Sequence, residues 1–401
     1  MISVFEATEL VLGTVRPYGE ECVAIEDAVG RVLAEAIVAS RDMPPFDRVA
    51  MDGIAIDYAA YAAGQRQFEI EKRIAAGDPI GTLSDTHKAV EIMTGAALPK
   101  GADTVIPYEA LTIEDNVAHI VADRVVQGQN VHAQGVDLQK GATLLTPGHW
   151  IQPADLALLA TEGKAKVRVR RAPSFAILST GDELVPIDQE PLPHQIRRSN
   201  VYAVQALLRQ YHVQSIMLHL ADDPEAMHDQ LRTLMGKVDA WICIGGVSKG
   251  KKDFLPQVLE ALGVRKLFHR VAQRPGKPFW FGATDEIVVF ALPVNPVSSI
   301  VGTVRYVLPW VRSCLGLPWD YSISVQLAEP FRFDPPLVRF VESELHHDSC
   351  GVCCATPRPG HGSGDFTRLA YTKGFVELPA DRTHFQPGEV YPFWPFHTFV
   401  V

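Results

Sequence analysis

Between residues 175 and 311 short apolar runs alternate with helical segments, and that alternation narrows the possible folds more than any other property of the chain. Residues 175–178 (FAIL), 213–218, 240–244 (AWICI) and 287–292 (IVVFAL) read as strands. Residues 199–208, the stretch that Asp223-Pro224-Glu225 caps and that runs to Met235, residues 255–262 and residues 297–311 read as helices between and after them. Strands separated by helices of about 10–15 residues predict an α/β domain, a mainly parallel sheet with helices on both faces. In such a sheet ligands bind where loops leave the carboxyl ends of the strands.

Three of those loops carry chemistry. Residues 245–254 read GGVSKGKKDF, after the apolar 241–244 and before the helical pattern Phe254, Val258, Leu259, Leu262. Glycines such as Gly245 and Gly246 let a backbone come close to a phosphate. Free N–H groups at a following helix then favour its charge, with Ser248 inside the same loop. TGDEL, from Thr180 and Gly181 through Asp182, and PVNP, with Pro293, Asn295 and Pro296, also follow strand-like runs, so all three loops are expected around one ligand. Glu183 and Asp253 then stand together as carboxylates beside a phosphate loop. Magnesium takes one or two such carboxylates with phosphate oxygens and water, and this is the favoured assignment. Read singly, Asp253 caps its helix and Asp182 satisfies a turn. Arg274-Pro275-Gly276-Lys277-Pro278 offers two cations on a stiffened turn, which can clamp an oxyanion or be a solvated basic turn. Met51-Asp52-Gly53 and Met93-Thr94-Gly95 are, locally, ordinary turns.

At 401 residues the chain holds two to four domains, at roughly 100–200 residues each. Its net charge of −10 argues against a nucleic-acid surface. No apolar run of about 18 residues and no basic, then apolar, N-terminus is present, so neither a membrane span nor a secretory signal is expected, and the cytoplasm is the expected compartment. Residues 4–15 are helical in pattern, residues 23–39 are apolar, and Met43-Pro44-Pro45-Phe46-Asp47 breaks any helix. Strand-like runs at 68–74, 104–108 and 117–121 with glycine turns predict a compact β-rich domain. Pro153 opens a helix, residues 165–170 form a strand, and 170–173 is a linker. Beyond Leu317-Pro318, alternating runs at 321–327, 337–343 and 374–378 predict a small β-barrel or sandwich. Of six cysteines, Cys350, Cys353 and Cys354 follow His346 and His347. C-x-x-C beside two histidines could bind zinc, although no second C-x-x-C follows; ordinary strand and turn residues are the alternative.

These runs resemble the molybdopterin molybdenumtransferase family, which includes bacterial MoeA and the E domains of plant and animal homologues. The matching stretches are PPFDRVAMDG (44–53), IMTGAALPKGAD (92–103), GVDLQKGATLL (135–145), STGDELV (179–185), GGVSKGKKDF, RPGKPFWFG (274–282), LPVNPVSS (292–299) and GHGSGD (360–365). They stand in family order over nearly the whole chain. The resemblance implies insertion of molybdate into adenylylated molybdopterin, with magnesium and release of AMP. It implies four domains: an elongated one (1–45 and 134–171), an inserted β-rich one (46–133), a MogA-like α/β domain (172–317) and a C-terminal β-barrel (318–401). It also implies a homodimer in which Asp52 and Thr94 enter the cleft from the partner chain. Family motifs place Asp137, Glu183, Asp223, Asp253 and Lys277 in or beside that cleft, with Glu183 and Asp253 on the cation. Ser298, Arg339 and Ser363 are implied as oxyanion contacts. The implied protein partners are the adenylyltransferase that supplies the substrate and the molybdoenzymes that accept the cofactor. Two other readings are an adenylyltransferase acting on molybdopterin itself, against which RPGKP and the flanking domains argue, and a scaffold that retains only the fold. The chain departs from the family pattern in Arg48-Val49, Lys251, Arg274 for a frequent lysine, and Val294 for a usual glycine. Val294 either holds its loop extended or narrows the pocket.

Overall fold

A computed structural model of the chain describes residues 1–247 and 254–397. Ser248 and Asp253 therefore lie outside the described residues. The backbone divides into a smaller compact unit (35–147 and 157–165) and a larger one (1–34, 148–156 and 166–401).

The smaller unit is built on a six-stranded sheet: β1 Gly53–Ile56, β2 Gln67–Ile74, β3 Lys88–Ile92, β4 Thr104–Pro107, β5 Leu111–Glu114 and β6 Val117–Ile120. Their order is β4-β1-β3-β2-β6-β5, and only β2 and β3 run parallel. The β-rich expectation held, with β1, β3 and β5 added to the strands seen in the sequence. Strand β1 is buried on both faces, sending Ile54 and Ile56 into one apolar cluster and Ala55 into the other. That burial explains the glycine of Met51-Asp52-Gly53. A Cβ on Gly53 would stand 1.9 Å from the Ile106 carbonyl oxygen, a backbone atom that cannot swing aside. Gly53→Ala is expected to cost about 3 kcal/mol by forced displacement of β4, seen as a lower denaturant midpoint.

In the larger unit the sheet comprises β7 Phe175–Thr180, β8 Ser215–Leu220, β9 Ala240–Ile244, β10 Arg265–His269, β12 Trp280–Ala283 and β13 Val288–Leu292; the short β11 Gln273–Arg274 lies outside it. The order is β8-β7-β9-β13-β12-β10. The four strands expected from the alternation are parallel neighbours. Strands β12 and β10 extend the sheet antiparallel, where no strand was foreseen. Helix α1 Asn200–Arg209 buries Val201, Val204, Leu207 and Leu208, a stripe at helical spacing, against Phe175, Ile177 and Phe290. Helices α2 Pro224–Leu234 and α3 Leu255–Ala261 cover the other face with Met227, Leu231, Leu255 and Leu259 over Leu178, Trp241 and Val289. The apolar stretch at 297–311 is a continuous helical run, α4 Pro296–Gly302 and α5 Leu308–Cys314 joined by a π turn at Thr303–Val307.

The C-terminal strands β14 Ile323–Leu327, β15 Val338–His347, β16 Cys353–Pro357, β17 Gly374–Leu378 and β18 Val390–Pro395 close as β15-β16-β14-β18-β17, with β17 returning to β15. The barrel alternative is the one adopted. Strand β11 adds parallel to β15, setting Arg274 beside Arg339. Strand β16 contains the cysteine pair. Consecutive strand residues face opposite sides, so Cys354 registers with His346 and is buried, while Cys353 registers with His347. Among the described residues no group of three or more His, Cys, Asp or Glu side chains is placed to hold a metal. No helix of the described residues is long and apolar enough to cross a membrane.

Candidate active site

Strand β7 ends at Thr180, where the chain must turn sharply, and Gly181 supplies φ +129°. The turn folds Glu183 back, so that a Cβ on Gly181 would lie 2.5 Å from its Oε2. Strand β9 ends at Ile244, and the N–H of the next residue, Gly245, donates to the Leu292 carbonyl of β13 at 3.0 Å. A Cβ there would stand 2.6 Å from Thr180 Oγ1, so the glycine lets two strand ends close together. Beyond β13, Asn295 Nδ2 donates to Ser363 Oγ at 2.8 Å, and the Val297 N–H donates to the Ser363 carbonyl at 3.1 Å.

These strand-end loops line one cavity of about 260 Å³, walled by Thr180, Gly181, Glu183, Asp222, Gly245, Gly246, Val247, Pro278, Pro293, Val294 and Asn295. A second, of about 590 Å³, shares Glu183, Val294 and Asn295 and adds Arg197, Arg198, Asn200 and Pro296. Val294 keeps a negative φ, so the valine stands without backbone strain, and it lines both cavities. Its carbonyl accepts from Asn200 Nδ2 at 2.6 Å.

A third cavity, of about 370 Å³, gathers Arg274, Arg332, Arg339, Glu342, His361 and Ser363. Glu342 is buried and sits 3.4 Å from Arg339. Burial raises the Glu342 carboxyl pKa, and burial followed by the nearby Arg274 charge lowers that of Arg339. Three guanidinium groups share this cavity with two carboxylates, the buried Glu342 and Asp334, which pairs with Arg332 at 3.0 Å, so Arg274 and Arg339 are the donors best placed for a compact oxyanion.

The expected residues divide accordingly. Thr180, Gly181, Glu183, Gly245, Gly246, Pro293 and Asn295 meet in the first cavity; Pro296 lines the second; Arg274, Arg339 and Ser363 line the third. Lys277 is exposed on the loop that carries Arg274, next to Pro278 of the first cavity. Ser298 is buried under Gly276. Asp182 is exposed in the TGDEL turn. Asp223 is engaged otherwise: its carboxylate caps α2 by accepting from the Ala226 N–H at 2.8 Å, and its neighbour Asp222 faces the cavity. Asp222 was overlooked in the sequence, although in Asp222-Asp223-Pro224 only the residue before proline can cap and the other is left for the site. His219 was also overlooked. Its Nδ1 lies 3.1 Å from Ser179 Oγ at the end of β7, and burial, then Arg198, lowers its pKa and keeps the ring neutral.

In the smaller unit Asp52 Oδ1 accepts from the Thr94 N–H at 2.6 Å and from Thr94 Oγ1 at 2.7 Å. Those bonds lower the Asp52 pKa, so its charge persists until the pH falls below the usual carboxylate range. Asp137 Oδ1 lies 3.0 Å from His132 Nε2.

Glycine loops and the carboxylates Glu183 and Asp222 at the carboxyl edge of a doubly wound sheet define an α/β protein with its candidate site at the strand ends, an arrangement that suits phosphate-bearing ligands. The donor set fits magnesium, which needs few protein carboxylates when phosphate oxygens complete its shell. Comparison with known proteins narrows the class. The sequence matches the MoeA N-terminal region (domain I and II) over residues 2–163, a probable molybdopterin binding domain over 176–313 and the MoeA C-terminal region (domain IV) over 324–396. It is 40% identical over 398 residues to the molybdopterin molybdenumtransferase of Synechocystis sp., covering 98% of this chain and 100% of that one. It is 35% identical to the Bacillus subtilis protein of the same name, covering 96% and 92%. A crystal structure of the molybdopterin biosynthesis MoeA protein from Pyrococcus horikoshii superimposes with a TM-score of 0.84 at 28% identity, covering 99% of each chain. The chain belongs to the molybdopterin molybdenumtransferase, or MoeA, family.

Proposed function

We propose that the protein is a molybdopterin molybdenumtransferase that inserts molybdate into adenylylated molybdopterin with magnesium, releasing AMP, with the cytoplasm as its compartment. The observation that carries this reading is the junction between two kinds of cavity. Asn295 lines the phosphate-type cavity and hydrogen-bonds Ser363, which lines the arginine cavity. A phosphoanhydride substrate and an oxyanion can thus lie side by side.

In this reading the glycine loops after β7 and β9 admit the phosphates, and Arg274 and Arg339 hold the dianionic molybdate. Lys277 neutralises charge developing on the phosphate oxygens. Glu183 and Asp253 would hold the magnesium ion, whose contribution when bound is Lewis-acid polarisation of the phosphate. The dithiolene sulfurs that receive molybdenum belong to the substrate, so the protein's task there is to orient and shield them. Asp52 and Thr94 serve the cleft of the partner in a homodimer.

Purified protein given magnesium, molybdate and adenylylated molybdopterin should release AMP. No release from that mixture, with turnover of ATP and unmodified molybdopterin in its place, would overturn the reading in favour of an adenylyltransferase. Val294 bears on the scaffold alternative. Because its φ is unstrained, Val294→Gly should alter AMP release by no more than about threefold, a barrier change below about 1 kcal/mol. A large gain from a nearly inactive parent would mark a degenerate site.

A further inference from the structure

The two cations of RPGKP ride on a loop that closes on itself, since the Val271 N–H donates to the Lys277 carbonyl at 3.0 Å. The loop is filled by the side chain of Gln273, which is 1% exposed. Its Nε2 donates to the Pro275 carbonyl at 3.1 Å, and its Oε1 accepts from the Tyr306 hydroxyl. Both polar ends of a buried amide are satisfied, one by the loop and one by the helix behind it. Gly276 closes over the same amide, for a Cβ there would lie 2.7 Å from Nε2.

Tyr306 is equally buried, with its ring centroid 5.0 Å from that of Phe279, just beyond the loop. Burial keeps the phenol protonated, so it stays a donor. It stands in the π turn at Thr303–Val307. One extra residue in a helical turn rotates the downstream side chains by roughly 100°, and such turns recur at functional sites. The residue that leads into β11 is pinned from both sides as well. The Ala272 N–H donates to Ile2 O at 2.7 Å, and the Ala272 carbonyl accepts from the Val338 N–H at 3.0 Å. The one part of the loop held by side chains rather than by strand pairing is Pro275-Gly276, between Arg274 and Lys277.

We propose that Gln273 and Tyr306 are positioning residues for oxyanion capture, the phenol fixing the amide and the amide fixing the Pro275 carbonyl so that Arg274 keeps its place beside Arg339. This deepens the molybdenumtransferase reading and rests on it. A role limited to filling space would weaken both substrates alike. A positioning role weakens molybdate alone.

The test uses Gln273→Met, which removes both hydrogen bonds at similar volume, and Tyr306→Phe, which removes the donor only. AMP release is measured with each substrate varied separately, and molybdate binding is titrated calorimetrically without the nucleotide substrate. Gln273→Met should raise the molybdate KM and Kd about tenfold, and Tyr306→Phe about threefold, with the KM for adenylylated molybdopterin within about twofold of the parent. Equal rises in both KM values, or unchanged molybdate affinity in both variants, overturns the proposal. Should Gln273→Met fail to fold, Tyr306→Phe decides alone. A wild-type protein that binds molybdate but releases no AMP sinks the functional reading, and the titrations still judge the pair.

Discussion

Glu183→Gln is expected to slow AMP release on the order of 10²–10³-fold at saturating molybdate while leaving the denaturation midpoint unchanged. The substitution keeps the shape of the side chain and deletes its charge. Glu183 lies exposed in the turn after β7, folded over Gly181 and facing the glycine loop after β9. An exposed loop side chain of this kind contributes little to stability, so lost activity reports on chemistry. In the proposed site the carboxylate helps hold a divalent cation against the phosphates, and a neutral amide is a far weaker ligand for so hard an ion. Asp253→Asn should fall by a similar factor. The double variant should be little worse than either single one, because groups that hold one ion fail together. Ordinary turnover in both single variants would remove the cation from Glu183 and Asp253.

How much of this was legible depended on what each residue answers to. Strand β9 was visible at its true bounds because Ala240–Ile244 is buried throughout, with Gly245 marking its end. Strand β10 was hidden because Phe268 is its only fully buried residue, and β12 because its four residues, Trp280–Ala283, include Gly282 and follow a proline- and glycine-bearing turn, which reads as a loop. The π turn at Thr303–Val307 was invisible for a similar reason: an apolar helix buried all round carries no phase in its sequence. Convergence of TGDEL, GGV and PVNP followed from local signals alone, since parallel strands bring their ends to one edge. The arginine cavity did not, because it depends on β11 pairing with β15, two segments far apart in the chain. Asp52 and Thr94 mark the opposite limit. Local reading made them turns, the structure gives Gly53 its steric reason and ties Asp52 to Thr94, and only family resemblance suggested the cleft they serve.

That last assignment predicts complementation. Asp52→Ala and Lys277→Ala should each release almost no AMP, yet a heterodimer of the two, purified through different tags after co-expression, should recover about half the wild-type rate. The expectation rests on counting clefts. If each cleft takes Asp52 from one subunit and Lys277 from the other, the heterodimer holds one cleft with both residues intact and one with neither. If both residues came from the same subunit, every cleft would lack one of them and the rate would stay near zero. Asp52 suits such a test because its carboxylate is exposed, carries its charge across the neutral range and is aimed by Thr94. Thr94→Val should therefore complement Lys277→Ala in the same way, with a milder defect of its own, since the Thr94 N–H still holds Asp52. Recovery in neither pairing, from heterodimers that stay assembled, would return Asp52 and Thr94 to the ordinary turns they resemble in the sequence.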